Sequence, residues 1–334
     1  MHISRRYSGG EMLISIVAII IGFGMDLVLG DPRAIPHPVV IMGKLISLLE
    51  KILRRIFPKT VKGENIAGLV LWIIMCILSF GVPFALILLS RKVGWWLELI
   101  LSSIMCWQIL ATKSLKDESM KVYRALLHEG TEAGRRAVSM IVGRDTERLS
   151  REGVIKACVE TVAENSSDGV VAPMFFAAIG GAPLGMLYKA VNTMDSMLGY
   201  VEEPYKNIGL VPAKMDDVFN FIPARLSALI MLVAGWFMGL DVKNGWKIFK
   251  RDRMKHASPN SAQTESCLAG LLGVQLAGDA WYHGELHKKQ FIGDDIRPVA
   301  LNDIPLSCKV MYVMAALSLL VCCWLRVMIL IALV

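Results

Sequence analysis

The sequence predicts an all-α, polytopic membrane protein, and three observations support this fold class. The 334 residues are 54% hydrophobic and only 19% charged, and the mean hydropathy is +0.52, which is more apolar than a soluble globular protein. Several apolar runs reach the roughly 20 residues that a helix needs to cross a bilayer core of about 30 Å. Most basic residues lie between those runs. We therefore expect about five transmembrane helices in a single membrane-embedded domain over residues 1–334.

The first apolar run needs to be distinguished from a signal peptide, because Arg5 and Arg6 precede it. It is longer than a typical signal core, contains Asp26, and meets no small-residue cleavage site before Pro32. We therefore interpret it as a membrane helix. The predicted spans lie near 12–29, 66–89, 93–111, 221–240 and 310–334.

The charge pattern predicts the orientation of the connections. Lys and Arg are abundant after the first span and again after the third, so the positive-inside rule places both connections on the cytoplasmic side of the cell inner membrane. The turn between the second and third spans carries only Arg91 and Lys92. The net charge of +7 could also indicate nucleic-acid binding. Because the basic clusters are interleaved with acids and flank apolar spans, we expect the lipid bilayer and no nucleic acid as a partner.

The middle of the chain, 113–220, is predicted to be a mainly cytoplasmic helical region, and 241–307 a polar connection. Two short amphipathic helices are expected over 117–129 and 131–142, with Gly130 as the stop between them. The segment 170–191 is long enough to span, but it contains two prolines and three glycines. We expect two half-helices that meet at 180–185, either re-entrant or packed on the membrane face.

Four polar clusters interrupt the apolar background. The first is G-D-P-R-A-I-P-H-P-V at 30–39, where prolines fix a rigid loop that presents Asp31 and His37. An interfacial turn is the alternative interpretation.

The second cluster is V-E-T-V-A-E-N-S-S-D-G at 159–169, with Arg144 and Asp145 upstream. Glu160 and Glu164 lie one helical turn apart, and together with Asp168 they could converge on a hard cation such as magnesium. The alternative is a solvated helix face followed by a helix cap.

The third cluster joins Y-K-A-V-N-T-M-D-S-M at 188–197 to D-D-V-F-N-F-I-P-A-R at 216–225. Charged residues beside apolar segments are usually functional or paired internally, and both interpretations stay open. The fourth cluster is H-A-S-P-N-S-A-Q-T-E at 256–265. Ser258 before Pro259 predicts the start of a helix whose free donors could hold a phosphate, although a well-capped helix explains the same pattern.

Familiar motifs of nucleotide-binding and hydrolytic proteins are absent from the sequence: no G-x-x-x-x-G-K-[ST], H-E-x-x-H or G-x-S-x-G occurs. The residues alone therefore predict a polytopic membrane protein with a site rich in carboxylates, amides and bases near the cytoplasmic surface.

The four clusters, in this order, resemble the adenosylcobinamide-phosphate synthase family, membrane proteins of late cobalamin biosynthesis. The likeness runs from about residue 20 to residue 300 and also includes G-R-D-T at 143–146. Two departures occur: K-M-D-D at 214–217 stands where the family more often has Arg-Leu-Asp-Asp, and Pro212 replaces a small helix former.

The resemblance implies a catalytic domain with carbon-nitrogen ligase activity. The expected reaction is ATP-dependent amide formation between adenosylcobyric acid and aminopropanol or its O-phosphate, which gives adenosylcobinamide or its phosphate. ATP and Mg²⁺ are implied as co-substrate and metal, and other cobalamin-biosynthesis membrane proteins as further partners. A membrane transporter or permease, with a pathway lined by 170–191, is the competing prediction.

The resemblance also assigns candidate roles to residues of the four clusters. The three carboxylates of the second cluster would surround the metal, Arg144, Lys189 and Arg225 would contact phosphate, and His37 or His256 would act as a base. The predicted catalytic residues are Glu160, Glu164, Asp168, Asp216, Asp217, His37 and His256. The predicted substrate-binding residues are Asp31, Arg144, Asp145, Asn165, Lys189, Asn192, Asp195, Asn220, Arg225, Ser258 and Asn260.

Overall fold

A computed structural model describes residues 9–32, 36–282 and 284–332. Helices account for most of these residues, and five helical segments are long and apolar enough to cross a membrane. These segments are Val61–Val93, Trp95–His128, Arg151–Leu198, Leu210–Phe237 and Asp303–Ala332, and a shorter apolar helix covers Leu13–Leu29. The prediction of an all-α, polytopic membrane protein is confirmed.

The helices of the described residues follow one another closely along the chain. They are α1 (Gly9–Leu29), α2 (Pro38–Ile56), α3 (Val61–Val93), α4 (Trp95–Ile109), α5 (Thr112–His128), α6 (Thr131–Val138), α7 (Arg151–Ser166), α8 (Ala172–Leu198), α9 (Leu210–Phe237), α10 (Val242–Asp252), α11 (Ser261–Leu272) and α12 (Asp303–Ala332). Two short antiparallel ladders follow α11: β1 (Leu276–Ala277) pairs with β4 (Phe291–Ile292), and β2 (Ala280–Tyr282) pairs with β3 (Glu285–His287).

Several helix boundaries in the structure differ from the predicted ones. α3 begins earlier than predicted, because the side chain of Thr60 accepts the N–H of Gly63 at 3.1 Å and caps the helix. α9 begins at Leu210 rather than 221, so the acidic motif at 214–217 lies inside a helix. The predicted cytoplasmic middle contains Arg151–Leu198, which is apolar and long enough to span. Residues 333–334 of the last predicted span lie outside the described residues.

The two predicted amphipathic helices are present as α5 and α6, and Gly130 separates them. α5 begins five residues before the predicted start, at Thr112, and α6 ends at Val138. Gly130 has a φ of +92°, which glycine adopts at little steric cost. α7 continues through a π-helical turn, Ser167–Val171, into α8.

Helix α8 is broken at Gly180 and Gly181, inside the predicted range. Gly181 has a φ of +73°, so the second half-helix begins after it, and that half continues to Leu198 rather than 191. Arg326 of α12 donates to the carbonyls of Ala178 and Ile179, at 3.4 and 2.9 Å. These carbonyls belong to the last turn of the first half-helix, where no intrahelical partner is available. The Arg326 side chain therefore supplies hydrogen-bond donors to the carbonyls left unpaired by the break in α8.

Contacts divide the chain into two compact units. The first unit comprises Met1–Ala111, Ala172–Asn220 and Leu319–Val334, and the second comprises Thr112–Val171 and Phe221–Ser318. The single catalytic domain over 1–334 stays a prediction.

The core of the second unit is built around α11, which is buried along its whole length. Helices α7 and α10 pack against it. A Cβ atom added at Gly270 would lie 2.7 Å from the Cα of Gly245, so α10 and α11 approach closely where both lack a side chain. Cys267, Leu268 and Leu271 are in the surrounding apolar core. The polar first half of α11 is therefore held inside the unit.

Candidate functional site

Helices α7 and α11 bring polar side chains together in the second unit. α7 supplies Glu160 and Glu164, one turn apart as predicted, and α11 supplies Ser261 and Glu265, also one turn apart. The hydroxyl of Ser261 donates to Oε1 of Glu164 at 2.8 Å and links the two helices directly. We call Glu160, Glu164 and Glu265 the carboxylate cluster.

Glu160 has a charged partner and a backbone donor. It is 3% exposed, pairs with the guanidinium of Arg144, and accepts the N–H of Ala277 at 2.7 Å. Burial alone would lower the pKa of Arg144, but the charge and hydrogen bond of Glu160, together with the nearby Tyr282 and Glu265, outweigh burial and raise the pKa. Glu160 and Arg144 therefore form a fixed, hydrogen-bonded ion pair.

Glu265 is the least satisfied member of the cluster. It is 5% exposed, and its Oε2 atom has no hydrogen-bond partner among the described residues. Burial raises the pKa of Glu265 well above its usual range, and the charges of Glu164 and Glu160 raise it further. Sequence reasoning missed this residue, although it lies in the polar run S-A-Q-T-E-S that opens an otherwise apolar helix.

His256 lies close to the cluster as a hydrogen-bond donor. Its Nδ1 atom accepts the N–H of Ser258 at 3.1 Å, so the neutral ring carries its proton on Nε2. Burial lowers the pKa of His256, and the nearby charge of Glu164 opposes that shift. In this arrangement Nδ1 is occupied as an acceptor and Nε2 is available as a donor, and the base role of His256 stays a prediction.

Lys289 is the second cation near the cluster, and no sequence motif marks it. Its Nζ atom donates to the hydroxyl of Tyr282 at 2.7 Å and lies 4.7 Å from the centre of that ring. Lys289 is within electrostatic range of Glu265 and His256. The side-chain hydrogen bond of Lys289 therefore goes to a hydroxyl group rather than to a carboxylate of the cluster.

The three carboxylates of the predicted metal set have different surroundings in the structure. Glu160 is engaged by Arg144 and Glu164 by Ser261, while Asp168 lies on the π-helical turn. Among residues 9–32, 36–282 and 284–332, no group of three or more His, Cys, Asp or Glu side chains is placed to hold a metal ion. Magnesium bound through phosphates needs only one or two carboxylates, so the metal assignment stays a prediction and supplies no step below.

Two predicted substrate-binding residues of the second unit have structural partners. The amide of Asn165 donates to the carbonyl of Thr161, one turn earlier, at 3.0 Å. Asp145 anchors the β2–β3 hairpin, because its Oδ2 accepts the N–H of Gly284 at 2.8 Å and its own N–H donates to the carbonyl of Trp281 at 2.8 Å. These hydrogen-bond partners of Asn165 and Asp145 were not predicted from the sequence.

Residues before α11 form a turn rather than the predicted cap. The hydroxyl of Ser258 accepts the N–H of Asn260 at 3.3 Å, and α11 begins at Ser261. The predicted N-cap at Ser258 lies two residues before the observed N-cap, Asn260, because the Ser258 oxygen closes a local turn instead. Arg225 donates to Oδ1 of Asn260 at 3.3 Å and stacks on Phe221, 3.6 Å from the ring centre.

A cavity of about 460 Å³ borders Arg144, within the roughly 300–1,000 Å³ of small-molecule pockets. Arg148 lies over the ring of Trp281, 4.4 Å from its centre, and both residues line the cavity. The cavity therefore presents guanidinium groups and an indole ring that a charged ligand could contact. The lining residues are Ser139, Arg144, Asp145, Thr146, Glu147, Arg148, Trp281 and Gly284.

The first unit contains its own polar group, formed by α8 and α9. The buried hydroxyl of Tyr188 donates to Oδ1 of Asn220 at 2.8 Å, and the amide of Asn220 donates to Asp216 at 2.9 Å. Asn192 lies 3.5 Å from the same carboxylate, and Asp195 is within electrostatic range of it. The structure thus brings together the two halves of the third sequence cluster.

Two further predicted residues, Asp217 and Lys189, lie on the same two helices of the first unit. Asp217 is within electrostatic range of Asp216, and Lys189 lies on α8 one turn before Thr193, whose hydroxyl donates to its carbonyl. The predicted roles of Asp217 and Lys189 stay predictions.

His37 caps α2 rather than presenting a free base. Its Nδ1 atom accepts the N–H of Val39 at 3.3 Å, and its Nε2 lies 3.5 Å from Asp31 without a hydrogen bond. The indole of Trp107 donates to the carbonyl of Gly30 at 2.9 Å and fixes the start of the loop. Residues 33–35 of this cluster lie outside the described residues.

The fold and the site define a polytopic helical membrane protein whose second unit holds buried carboxylates beside an arginine, a lysine and a neutral histidine. The family model described as CobD/Cbib protein matches residues 19–311. The chain is 46% identical over 288 residues to the cobalamin biosynthesis protein CobD of Clostridium perfringens (strain 13 / Type A), covering 86% of this chain and 90% of that protein. It is 41% identical over 309 residues to the cobalamin biosynthesis protein CbiB of Salmonella typhi, covering 92% and 96%. No solved structure matches.

The chain therefore belongs to the CobD/CbiB family, and the family inferred from its motifs is confirmed. Membership supports a role in cobalamin biosynthesis, in a multi-pass membrane protein.

Proposed function

We propose that this protein is an ATP-dependent ligase that joins the free carboxylate of adenosylcobyric acid to the amine of aminopropanol or its O-phosphate. The product is adenosylcobinamide or adenosylcobinamide phosphate. The observation that carries the proposal is the carboxylate cluster beside Arg144 and Lys289, in a chain whose family is named for cobalamin biosynthesis.

The reaction requires activation of the carboxylate before the amide can form. A carboxylate is a poor acyl donor, so its oxygen first attacks the γ-phosphorus of ATP, which forms an acyl phosphate and releases ADP. The amine nitrogen then attacks the acyl carbon, the bond from that carbon to the phosphate oxygen breaks, and inorganic phosphate leaves. The nitrogen loses a proton to a base in the process. Magnesium would accompany the ATP phosphates and offset their charge.

The side chains of the second unit match the needs of these steps. Arg144 supplies positive charge for the transferred phosphoryl group and for the tetrahedral oxygen that develops during amine attack. The Nε2–H group of His256 can donate to an oxygen of either species. Because this proton position makes His256 a donor, we assign the base to a carboxylate of Glu164 or Glu265.

The position of the chemistry relative to the membrane is also part of the proposal. ATP is available in the cytoplasm, and the Lys- and Arg-rich connections favour a cytoplasmic orientation. We therefore place the carboxylate cluster at the cytoplasmic side of the inner membrane.

The proposal is tested with the purified protein in detergent, supplied with adenosylcobyric acid, aminopropanol phosphate, ATP and magnesium. We expect the amide by mass spectrometry and ADP release that requires both organic substrates. Glu164→Gln should lower kcat/KM by roughly tenfold or more, whereas Glu152→Gln, an exposed change on the same helix, should leave it unchanged. Absence of amide from folded protein, combined with substrate uptake in reconstituted vesicles, would instead support the transporter.

A further inference from the structure

The inference begins with the charges of the carboxylate cluster. The charge of Glu160 is matched by Arg144, but the contacts of the other two members are different. Glu164 accepts a hydroxyl from Ser261, and Oε2 of Glu265 is buried without a hydrogen-bond partner among the described residues. A buried carboxylate oxygen without a donor is costly. Oε2 of Glu265 therefore offers a free acceptor to a group with N–H donors, and a positive charge on that group would favour the charged form of the Glu265 carboxyl.

We propose that Glu164 and Glu265 form the subsite that binds the ammonium group of the amine substrate, with the phosphate end of that substrate directed to Lys289. This inference rests on the proposed function and assigns one substrate to one part of the site. A primary ammonium has three N–H donors, enough to reach Oε2 of Glu265, a carboxylate oxygen of Glu164 and one further acceptor.

The arrangement of opposite charges favours a short zwitterion over a simple cation. Lys289 donates to the neutral hydroxyl of Tyr282 and lies within electrostatic range of Glu265. A ligand with an ammonium at one end and a phosphate at the other would place each charge against its complement.

A magnesium ion is a weaker candidate than an ammonium group for binding to Glu164 and Glu265. Magnesium prefers near-octahedral oxygen coordination, and the described residues contain no group of three or more metal-binding side chains. Arg144 and Lys289 also lie near Glu265 together with Glu164 and Glu160. These two cations repel a divalent metal ion more strongly than a singly charged ammonium, which in addition binds through directed hydrogen bonds.

The proposal is tested by steady-state kinetics of Glu265→Gln, which preserves the size of the side chain. A charge-assisted hydrogen bond contributes about 1.5–3 kcal/mol, so the KM for the amine phosphate should rise roughly 10- to 100-fold. The KM values for ATP and adenosylcobyric acid should stay within about twofold. Glu152→Gln on α7 is the matched control and should change none of the three.

A second measurement uses the wild-type protein and does not depend on the variant folding. Propyl phosphate keeps the phosphate and the carbon chain of the substrate but lacks the ammonium group. It should inhibit competitively against the amine phosphate, with an inhibition constant at least tenfold above the Kd of the amine phosphate. Equal affinity of the two ligands would overturn the ammonium subsite.

Other outcomes also decide the question. An unchanged KM for the amine phosphate in folded Glu265→Gln, or a change confined to the magnesium requirement, would contradict the proposal. If wild-type protein forms no amide, the proposed function fails. The subsite is then tested separately by calorimetric binding of the amine phosphate to wild type and to Glu265→Gln, where equal affinity would refute it.

Discussion

The ion pair between Arg144 and Glu160 gives a prediction whose size follows from burial. The side chain of Glu160 is 4% exposed and that of Arg144 is 19% exposed. Arg144→Met would leave a buried carboxylate with one described donor, the N–H of Ala277 at 2.7 Å. Removing one partner of a buried pair typically costs about 3–5 kcal/mol. We expect a comparable loss in the free energy of unfolding of the second unit.

Adding Glu160→Gln to this variant should restore part of the stability. The amide oxygen of Gln can still accept the N–H of Ala277, and no buried charge is left uncompensated. We expect the double variant to be about 2 kcal/mol more stable than Arg144→Met alone. For a unit of this size, about 1 kcal/mol corresponds to roughly 2–4 °C in Tm. Thermal unfolding of the purified protein, followed by tryptophan fluorescence at neutral pH, measures all four proteins of the cycle.

The result that would refute this reasoning is additivity. If the losses from Arg144→Met and Glu160→Gln simply sum in the double variant, the two groups do not interact in the folded protein. The predicted compensation would then be absent, and the short contact between them would not contribute to stability.

Two further predictions concern stability. The raised pKa of Glu265 means that the folded state retains a proton that the unfolded state releases, so this group's contribution to stability falls as pH rises above the ordinary Glu range. Glu265→Gln lacks that loss, so its Tm relative to wild type should increase as the pH rises above the ordinary Glu range; a constant difference across a pH series would contradict this. On α3, a Cβ atom at Gly68 would lie 2.1 Å from the carbonyl oxygen of Ile208, whereas one at Gly81 would meet nothing within 4 Å. Gly68→Ala should therefore cost roughly 1–3 kcal/mol, whereas Gly81→Ala, inside the same helix, should not destabilise because Ala favours helix over Gly. Equal Tm values of the two variants in the same thermal assay would refute the close approach.

The local spacing of residues in the sequence was sufficient to predict several parts of the fold. Gly130 separates α5 and α6 as predicted because a positive φ at that position depends on one residue type. The break in α8 at Gly180 and Gly181 follows from glycines beside a proline, again a local signal. Glu160 and Glu164 lie on adjacent turns because helical periodicity fixes that relation.

The start of α9 and the burial of α11 could not be obtained from hydropathy. The charged motif at 214–217 interrupts the apolar run, although the backbone continues as a helix from Leu210. The run S-A-Q-T-E-S resembles a solvated helix face, yet every residue of α11 is buried. Burial of a polar helix depends on the helices packed around it, which are distant in sequence. Glu265 was therefore missed.

Contacts across long sequence separations also escaped prediction. The N–H of Ala277 reaches Glu160 from a position 117 residues away. Lys289 reaches the cluster from beyond the β2–β3 hairpin, where no motif identifies it. The hydrogen bonds of His37 and His256 were not predicted either: each Nδ1 atom accepts a nearby backbone N–H, and the base roles of both residues stay predictions. Such local capping depends on ring orientation, which sequence spacing does not define.

The arginine that satisfies the break in α8 has a consequence for biogenesis. The carbonyls of Ala178 and Ile179 receive their donor from Arg326, nearly 150 residues later in the chain. A nascent chain emerges from its N-terminal end, so the broken segment reaches the bilayer long before this donor is synthesised. Exposed carbonyls are costly in hydrocarbon. The first half-helix must therefore stay hydrated or be held by another partner until α12 arrives, which makes completion of the last helix the step that allows the earlier segment to settle.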